Sequence, residues 1–130
     1  MKLASVRIVT ENPSTLTSFY RTITKTDPIF PFGGADYAEL QTEGSTLALV
    51  SVAGVNRYNA GAATPAANHS AILEFEVDDV DAERRRLQDC VSDWVQEPTD
   101  QPWGNRSMLF RDPDGNLINF YTPASPASES

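Results

Sequence analysis

The feature that most constrains this sequence is an internal repeat, because both halves of the chain begin with the same strand and helix signals. A short strand-like run at residues 6–10 has a counterpart at residues 73–77, at an offset of about 67 residues. Each run is followed by residues that favour the start of a helix, namely Asn12 with Pro13 in the first half and Asp79 in the second. The repeat predicts two copies of one supersecondary unit.

One helix is predicted in each half, directly after the first strand. In the first half the apolar residues have the i, i+3, i+4, i+7 spacing of a helix with one buried face. These residues are Leu16, Phe19, Tyr20 and Ile23. In the second half the predicted helix carries Val80, Leu87 and Val91.

Short strands separated by turns are predicted after each helix. In the first half they cover residues 37–41 and 46–52, and in the second half residues 94–96, 106–111 and 116–121. The turn at 112–115 has proline in its second position and glycine in its fourth, which suits a type I turn. The predicted fold class is α+β, with two tandem βαβββ modules.

The modules are expected to form a single domain over residues 1–122. They cover about 1–53 and 70–122, and the Ala-, Asn- and Gly-rich stretch at 54–69 is predicted to be the linker. Residues 123–130, rich in Pro, Ser and Ala, are predicted to be a flexible tail.

The charge balance excludes some classes of partner. Eighteen acidic against ten basic residues give a formal net charge of −8. That balance argues against nucleic acid and anionic membrane surfaces as partners, and it favours a neutral or cationic ligand. The single cysteine, Cys90, and the lack of an apolar secretory leader predict a cytoplasmic protein.

With this organisation the chain resembles the vicinal-oxygen-chelate superfamily, which includes glyoxalase I, bleomycin-resistance proteins and extradiol dioxygenases. The resemblance covers about residues 4–122. It is carried by Phe19-Tyr20, by Glu76-Val77-Asp78-Asp79-Val80-Asp81, and by Trp103-Gly104-Asn105-Arg106 followed by Arg111-Asp112-Pro113-Asp114-Gly115-Asn116-Leu117-Ile118. The resemblance implies a cup-shaped, half-barrel mixed sheet with the helices packed outside, and a homodimer as the assembly.

The resemblance also implies where a metal would bind. In metal-dependent members, four side chains from the first and last strands of the modules hold a divalent ion, and they are typically His, Gln or Glu. The matching positions here are Ser5, Ala48, Ile72 and Asn119. Alanine and isoleucine offer no donor atom, and neutral serine and asparagine are poor ligands. The sequence therefore predicts no metal and no cofactor, with a different site built from Glu74, Glu76 or His69 left as an alternative.

Several charged and aromatic side chains are candidates to contact a ligand in the cleft of the cup. The predicted contacts are Arg7, Glu74, Trp103, Arg106, Asn119 and Tyr121. Phe30, Phe32 and Tyr58, in connecting segments, are further candidates for an aromatic wall. The alternative for the rings is packing in the core or in a dimer interface, and the alternative for Arg7 and Glu74 is a structural ion pair.

Three functions are compatible with these residues. The first is a metal-free protein, similar to bleomycin-resistance proteins, that binds a small organic molecule, aromatic and cationic, and sequesters a drug. The second is a divalent-metal-dependent lyase or dioxygenase of the same superfamily. The third is a metal-free enzyme with Glu74 as general base and Arg7 or Arg106 as electrophile.

Overall fold

The computed structural model describes residues 1–124, and the chain divides into two compact units. The first unit is Met1–Ala67 and the second begins at Asn68. Each unit combines helices with a small mixed sheet, which confirms the predicted α+β class. Most of the predicted tail lies outside the described residues. Within residues 1–124, no helix is long and apolar enough to cross a membrane.

The first unit contains three strands and two helices. They are β1 (Ser5–Thr10), α1 (Pro13–Thr24), β2 (Tyr37–Gln41), β3 (Thr46–Ser51) and α2 (Val52–Asn59). The strand order is β1-β3-β2, with β1 parallel and β2 antiparallel to β3. A single bridge from Ile29 to Glu39 lies outside these strands. The fourth strand of a βαβββ module is therefore reduced to one residue in this unit.

Helix α1 forms where the sequence predicts it and covers one face of this sheet. Pro13 occupies its first turn, and all four residues of the predicted apolar stripe are buried. The helix ends at Lys25, whose φ of 55° lies in the left-handed region. The face of the sheet opposite α1, called the far face below, carries the alternate residues of each strand.

The second unit has the complete βαβββ order. Its elements are β4 (Ile72–Glu76), α3 (Val80–Arg86), β5 (Asp93–Asp100), β6 (Arg106–Arg111) and β7 (Leu117–Thr122). The strand order is β4-β7-β6-β5. Its core contains Phe110 and Phe120, whose ring centroids lie 5.2 Å apart in an edge-to-face arrangement. The far face of this sheet is the one opposite α3.

Two elements of the second unit differ in length from the prediction. Helix α3 ends at Arg86, although Leu87 and Val91 just beyond it are buried as expected. Strand β5 extends to Asp100 and includes Pro98, which the sequence placed in a loop. Because β5 is the edge strand and has irregular pairing, a proline that cannot donate a backbone hydrogen bond is tolerated there.

The first part of the predicted linker is a helix. Helix α2 begins directly after β3, and Ser51 caps it by accepting a hydrogen bond from the Gly54 amide at 2.9 Å. Val55 is buried, so the helix packs on its own unit. The Ala, Asn and Gly content of this stretch suggests a loop, but the serine cap and one buried side chain favour the helix.

Candidate functional site

A cavity of about 610 Å³ lies within the first unit. Far-face residues of β1, β2 and β3 contribute Arg7, Tyr37 and Val50 to its wall. The remaining wall comes from residues 32–36, which lead into β2, and from helix α2. Its volume is within the range of about 300–1,000 Å³ that is typical of small-molecule sites.

A small network fixes the two irregular walls of this cavity relative to each other. The Ser51 hydroxyl donates a hydrogen bond to Asp36 Oδ1 at 2.9 Å, and the Ser51 amide donates to the Asp36 carbonyl at 2.7 Å. A Cβ atom at Gly54 would lie 3.2 Å from both Ser51 Oγ and Val50 Cγ2. Glycine therefore allows the first turn of α2 to approach β3 closely. The same serine caps α2 and holds the loop on the other side of the cavity.

Exposed aromatic rings line the cavity. Phe32 is 81% exposed and Tyr58 is 78% exposed, although rings of this size are usually buried. The Phe32 ring also lies 5.4 Å from the Tyr37 ring, measured between centroids. Two of the three candidate wall residues of the first unit, Phe32 and Tyr58, therefore lie at the same cavity. Phe30 lies instead at a smaller hollow of about 270 Å³ beside α1.

The charged groups at the cavity are two guanidinium groups and one carboxylate. Arg57 and Asp36 form a long ion pair, with 3.7 Å between Arg57 Nη2 and Asp36 Oδ2, and both side chains are exposed. The Arg57 guanidinium also lies 5.9 Å from the centre of the Tyr58 ring. Arg7 forms no ion pair within residues 1–67. The lining thus has a formal charge of +1, whereas the net charge of the chain favours a cationic ligand.

Tyr37 supplies a polar group to this wall. Its hydroxyl donates a hydrogen bond to Glu39 Oε2 at 2.7 Å. Partial burial raises the pKa of Tyr37, and the hydrogen bond to Glu39 raises it further, while the charge of Arg7 opposes the shift. Tyr37 is therefore neutral at physiological pH, and its proton is directed to Glu39.

Three of the predicted contacts lie together on the far face of the second unit. Asn119 lies opposite Glu74, and its Nδ2 donates a hydrogen bond to Glu74 Oε2 at 2.9 Å. Asn119 Oδ1 is buried and has no hydrogen-bond partner in the described residues. Tyr121, two positions along β7 and opposite Glu76, is partly buried on the same face. The Glu74 carboxylate thus accepts one hydrogen bond from Asn119 on the neighbouring strand.

Arg106 does not belong to that group, because it lies on the opposite face of the sheet. It pairs with Thr122, one position away from Tyr121, and its side chain reaches α3. Arg106 Nε and Nη2 donate to the two carboxylate oxygens of Asp81 at 2.8 and 2.9 Å, and Nη1 donates to Asp100 at 3.1 Å. The hydrogen bonds from Arg106 lower the pKa of Asp81. The Arg106 side chain therefore links strand β6 to helix α3, on the face opposite Glu74, Asn119 and Tyr121.

The other candidates of the second unit are exposed. Trp103 is 70% exposed in the tight turn between β5 and β6, where the Gly104 amide donates to the Gln101 carbonyl. His69 is exposed and lies before β4, outside any strand. Within the described residues, no contact of Trp103 or His69 indicates a role in ligand binding for either side chain.

The four positions that would hold the superfamily's divalent ion do not fit one. Ala48 has no donor atom and is buried on the far face of the first unit. Ile72 has no donor atom either, so the four positions offer only the neutral oxygens of Ser5 and Asn119, which are poor ligands. Within the described residues, no group of three or more His, Cys, Asp or Glu side chains is arranged to hold a metal ion. The chemistry of this donor set gives no basis for a step through a metal.

Sequence reasoning missed several residues of the cavity, notably Asp36, Tyr37 and Arg57. The segment containing Arg57 reads as linker, so its helix and the side of the cavity that it forms are not apparent. The part that Asp36 plays in the cavity wall is apparent only from its hydrogen bonds to Ser51, a residue 15 positions away in the sequence. Alternation along the strands, which places Tyr37 and Arg7 on one face, is the signal that was available.

Comparisons with known proteins bear on the fold and the family. A family model described as the Glyoxalase/Bleomycin resistance protein/Dioxygenase superfamily matches residues 2–120. No curated protein matches the chain.

Solved structures give the same overall likeness. A glyoxalase/bleomycin resistance protein/dioxygenase family enzyme from Burkholderia phytofirmans PsJN has a TM-score of 0.82 and 16% identity, covering 94% of this chain and 98% of that one. A protein of similar description from Nocardioides has a TM-score of 0.76 and 19% identity, covering 97% and 85%. TioX from Micromonospora sp. ML1 has a TM-score of 0.70 and 23% identity, covering 94% and 98%. At these identities the likeness shows the fold.

Proposed function

Since the chain belongs to the Glyoxalase/Bleomycin resistance protein/Dioxygenase superfamily, we propose that it is a binding member that holds a small aromatic molecule in the first-unit cavity. The observation that carries the proposal is the pair of exposed rings, Phe32 and Tyr58, at one cavity of about 610 Å³. Exposed rings at a concave site favour ligand binding, because covering them removes apolar surface from water. Sequestration of a toxic aromatic compound is the role that we assign to such a site.

Binding without chemistry is supported by the groups at the cavity. The pKa of Tyr37 at the cavity is raised, away from neutrality, by burial and by the hydrogen bond to Glu39. Asp36 accepts a hydrogen bond from Ser51 and forms a long ion pair with Arg57. These groups suit recognition, since Tyr37 and Asp36 already have hydrogen-bond partners, Glu39 and Ser51.

The test is the affinity for 1-naphthalenemethanol, a neutral two-ring alcohol, measured by isothermal titration calorimetry. In the double variant Phe32→Ala/Tyr58→Ala we expect the affinity to fall at least about tenfold, which corresponds to about 1.4 kcal/mol. The matched control is Trp103→Ala, which removes a similarly exposed ring from the second unit. Absence of binding to the native chain, or equal affinity in the double variant, would contradict the proposal.

A further inference from the structure

We infer that the ligand of this cavity is a planar aromatic acid whose carboxylate binds Arg7, an inference that rests on the proposed function. Arg7 lines the cavity, and it forms no ion pair within its own unit. Arg57 has Asp36 as its counter-charge. The positive charge left at the cavity is therefore that of Arg7, and a guanidinium is well suited to a carboxylate, which it can bind with two parallel hydrogen bonds.

The far face explains why Arg7 forms no ion pair within residues 1–67. Its neighbour across the sheet is Ala48, and the next residue in that row is Glu39 on β2. The Glu39 backbone is two strands away from that of Arg7, about 10 Å at ordinary strand spacing. Its Oε2 already accepts a hydrogen bond from the Tyr37 hydroxyl group. Ala48 itself has no group that could pair with the guanidinium.

The aromatic part of the ligand follows from the other wall. Phe32 and Tyr58 offer ring faces and edges at the cavity, while Val50 and Val55 offer aliphatic surface. A flat ring system packs against such groups, and a flexible sugar or a highly hydrated anion such as phosphate gains little from them. The geometry thus combines an apolar wall with one fixed positive charge.

The net charge of −8 does not reverse this preference. At physiological ionic strength the screening length is about 8 Å, so distant surface carboxylates contribute little at the cavity. The guanidinium that touches the ligand dominates the local interaction. We therefore expect an acid where the composition of the whole chain suggests a cation.

The experiment compares three probes of one shape: 1-naphthoate, 1-naphthalenemethanol and 1-naphthylmethylammonium, by calorimetry at 150 mM salt and neutral pH. We expect the native chain to bind the acid about tenfold more tightly than the alcohol, and the ammonium more weakly than either. In Arg7→Gln the acid should lose this advantage over the alcohol. In Arg21→Gln, a matched arginine on α1 that pairs with Asp27 outside the cavity, the preference should persist.

The outcomes separate this inference from the proposed function. If the alcohol binds but the acid gains nothing, or the ammonium binds best, the anionic ligand is overturned and the binding site stands. If the acid keeps its advantage in Arg7→Gln, Arg7 is not the anchor and the inference fails. If none of the three probes binds, both the inference and the proposed function fail.

Discussion

The two sheets have the same order at their first three positions, β1-β3-β2 in the first unit and β4-β7-β6 in the second. They differ at the fourth position. In the second unit this position is β5, eight residues long and paired with β6. In the first unit it is a single bridge at Ile29, and the chain continues as the loop that carries Phe32. The loop and α2 then enclose a cavity. The comparison teaches that one module can give up an edge strand for a binding wall while its repeat keeps the complete sheet.

Equivalent positions on the two far faces show the same division. Arg7 lies opposite Ala48 in the first unit, and Glu74 lies opposite Asn119 in the second. In the second unit the two side chains bind each other at 2.9 Å. In the first unit the alanine cannot bind its neighbour, and the arginine lines the cavity. A hydrogen-bonded polar pair in one repeat is thus replaced in the other by an arginine beside an alanine.

The largest expected effect separates core rings from cavity rings. Phe120→Ala should lower the free energy of unfolding by about 3–5 kcal/mol, because the ring is buried against Phe110 in the second unit. Tyr58→Ala removes a ring that is 78% exposed and should cost less than about 0.5 kcal/mol. Urea unfolding of both variants checks the contrast. Equal losses would mean that Tyr58 is a core residue and not part of a binding wall.

A smaller effect is expected where the helix caps of the two units are compared. Ser51→Ala removes the cap of α2 and the hydrogen bond to Asp36, and should cost about 1–2 kcal/mol. Asp79→Ala removes only the cap of α3, whose Oδ1 accepts from the Ala82 amide, and should cost about 1 kcal/mol. Thermal and urea unfolding measure both, with exposed Ser45→Ala as the control. A larger loss at Asp79 would show that Ser51 does not link two parts of the cavity wall.

The salt bridge between Arg106 on β6 and Asp81 on α3 predicts that the stability of the second unit depends on pH. The ion pair between Arg21 on α1 and Asp27 in the first unit serves as the comparison. The hydrogen bonds from Arg106 lower the pKa of Asp81 in the folded protein. The stabilisation is therefore complete above the ordinary aspartate pKa and is lost as the pH falls through the lowered value. The stability difference between the native chain and Asp81→Asn should be larger at pH 7 than at pH 3, and smaller in high salt because the pair is partly exposed. A stability difference that does not change with pH would contradict the role of this salt bridge. Asp27→Asn is the matched control.

The smallest expected effect is at Glu74, the candidate general base of the enzyme hypothesis. Glu74→Gln preserves the size of the side chain and an oxygen that can accept from Asn119. The affinity for 1-naphthalenemethanol should change by less than about twofold, because Glu74 is not part of the first-unit cavity. A larger change, measured by the same calorimetry, would place a ligand contact in the second unit and favour the original set of predicted contacts.

Much of the fold could be predicted, because it depends on local patterns that repeat. The apolar stripe of α1 and the strands at Tyr37–Gln41 and Arg106–Arg111 follow from periodicity and from the resemblance. Helix α2 could not be predicted from composition, since its stability depends on one cap and the burial of Val55. Pro98 was placed in a loop because edge position, which tolerates proline, is a property of the assembled sheet.

The candidate site was less predictable than the fold. Arg7, Phe32 and Tyr58 were identified by residue type, and the structure brings them to one cavity. Arg106 was grouped with Asn119 although alternation places it on the opposite face, where Asp81 binds it. The charge of the cavity could not be read from the sequence, because it depends on which arginine has a carboxylate neighbour.

The central claim is that the first unit alone binds the ligand, and the most direct test is an NMR titration of the ¹⁵N-labelled chain with 1-naphthalenemethanol. Chemical shift changes report which backbone amides sense the probe. The account predicts that the largest changes fall at residues 32–37 and along α2, with little change at Glu74, Asn119 and Tyr121. Changes concentrated on those three residues, or no saturable change anywhere, would contradict it.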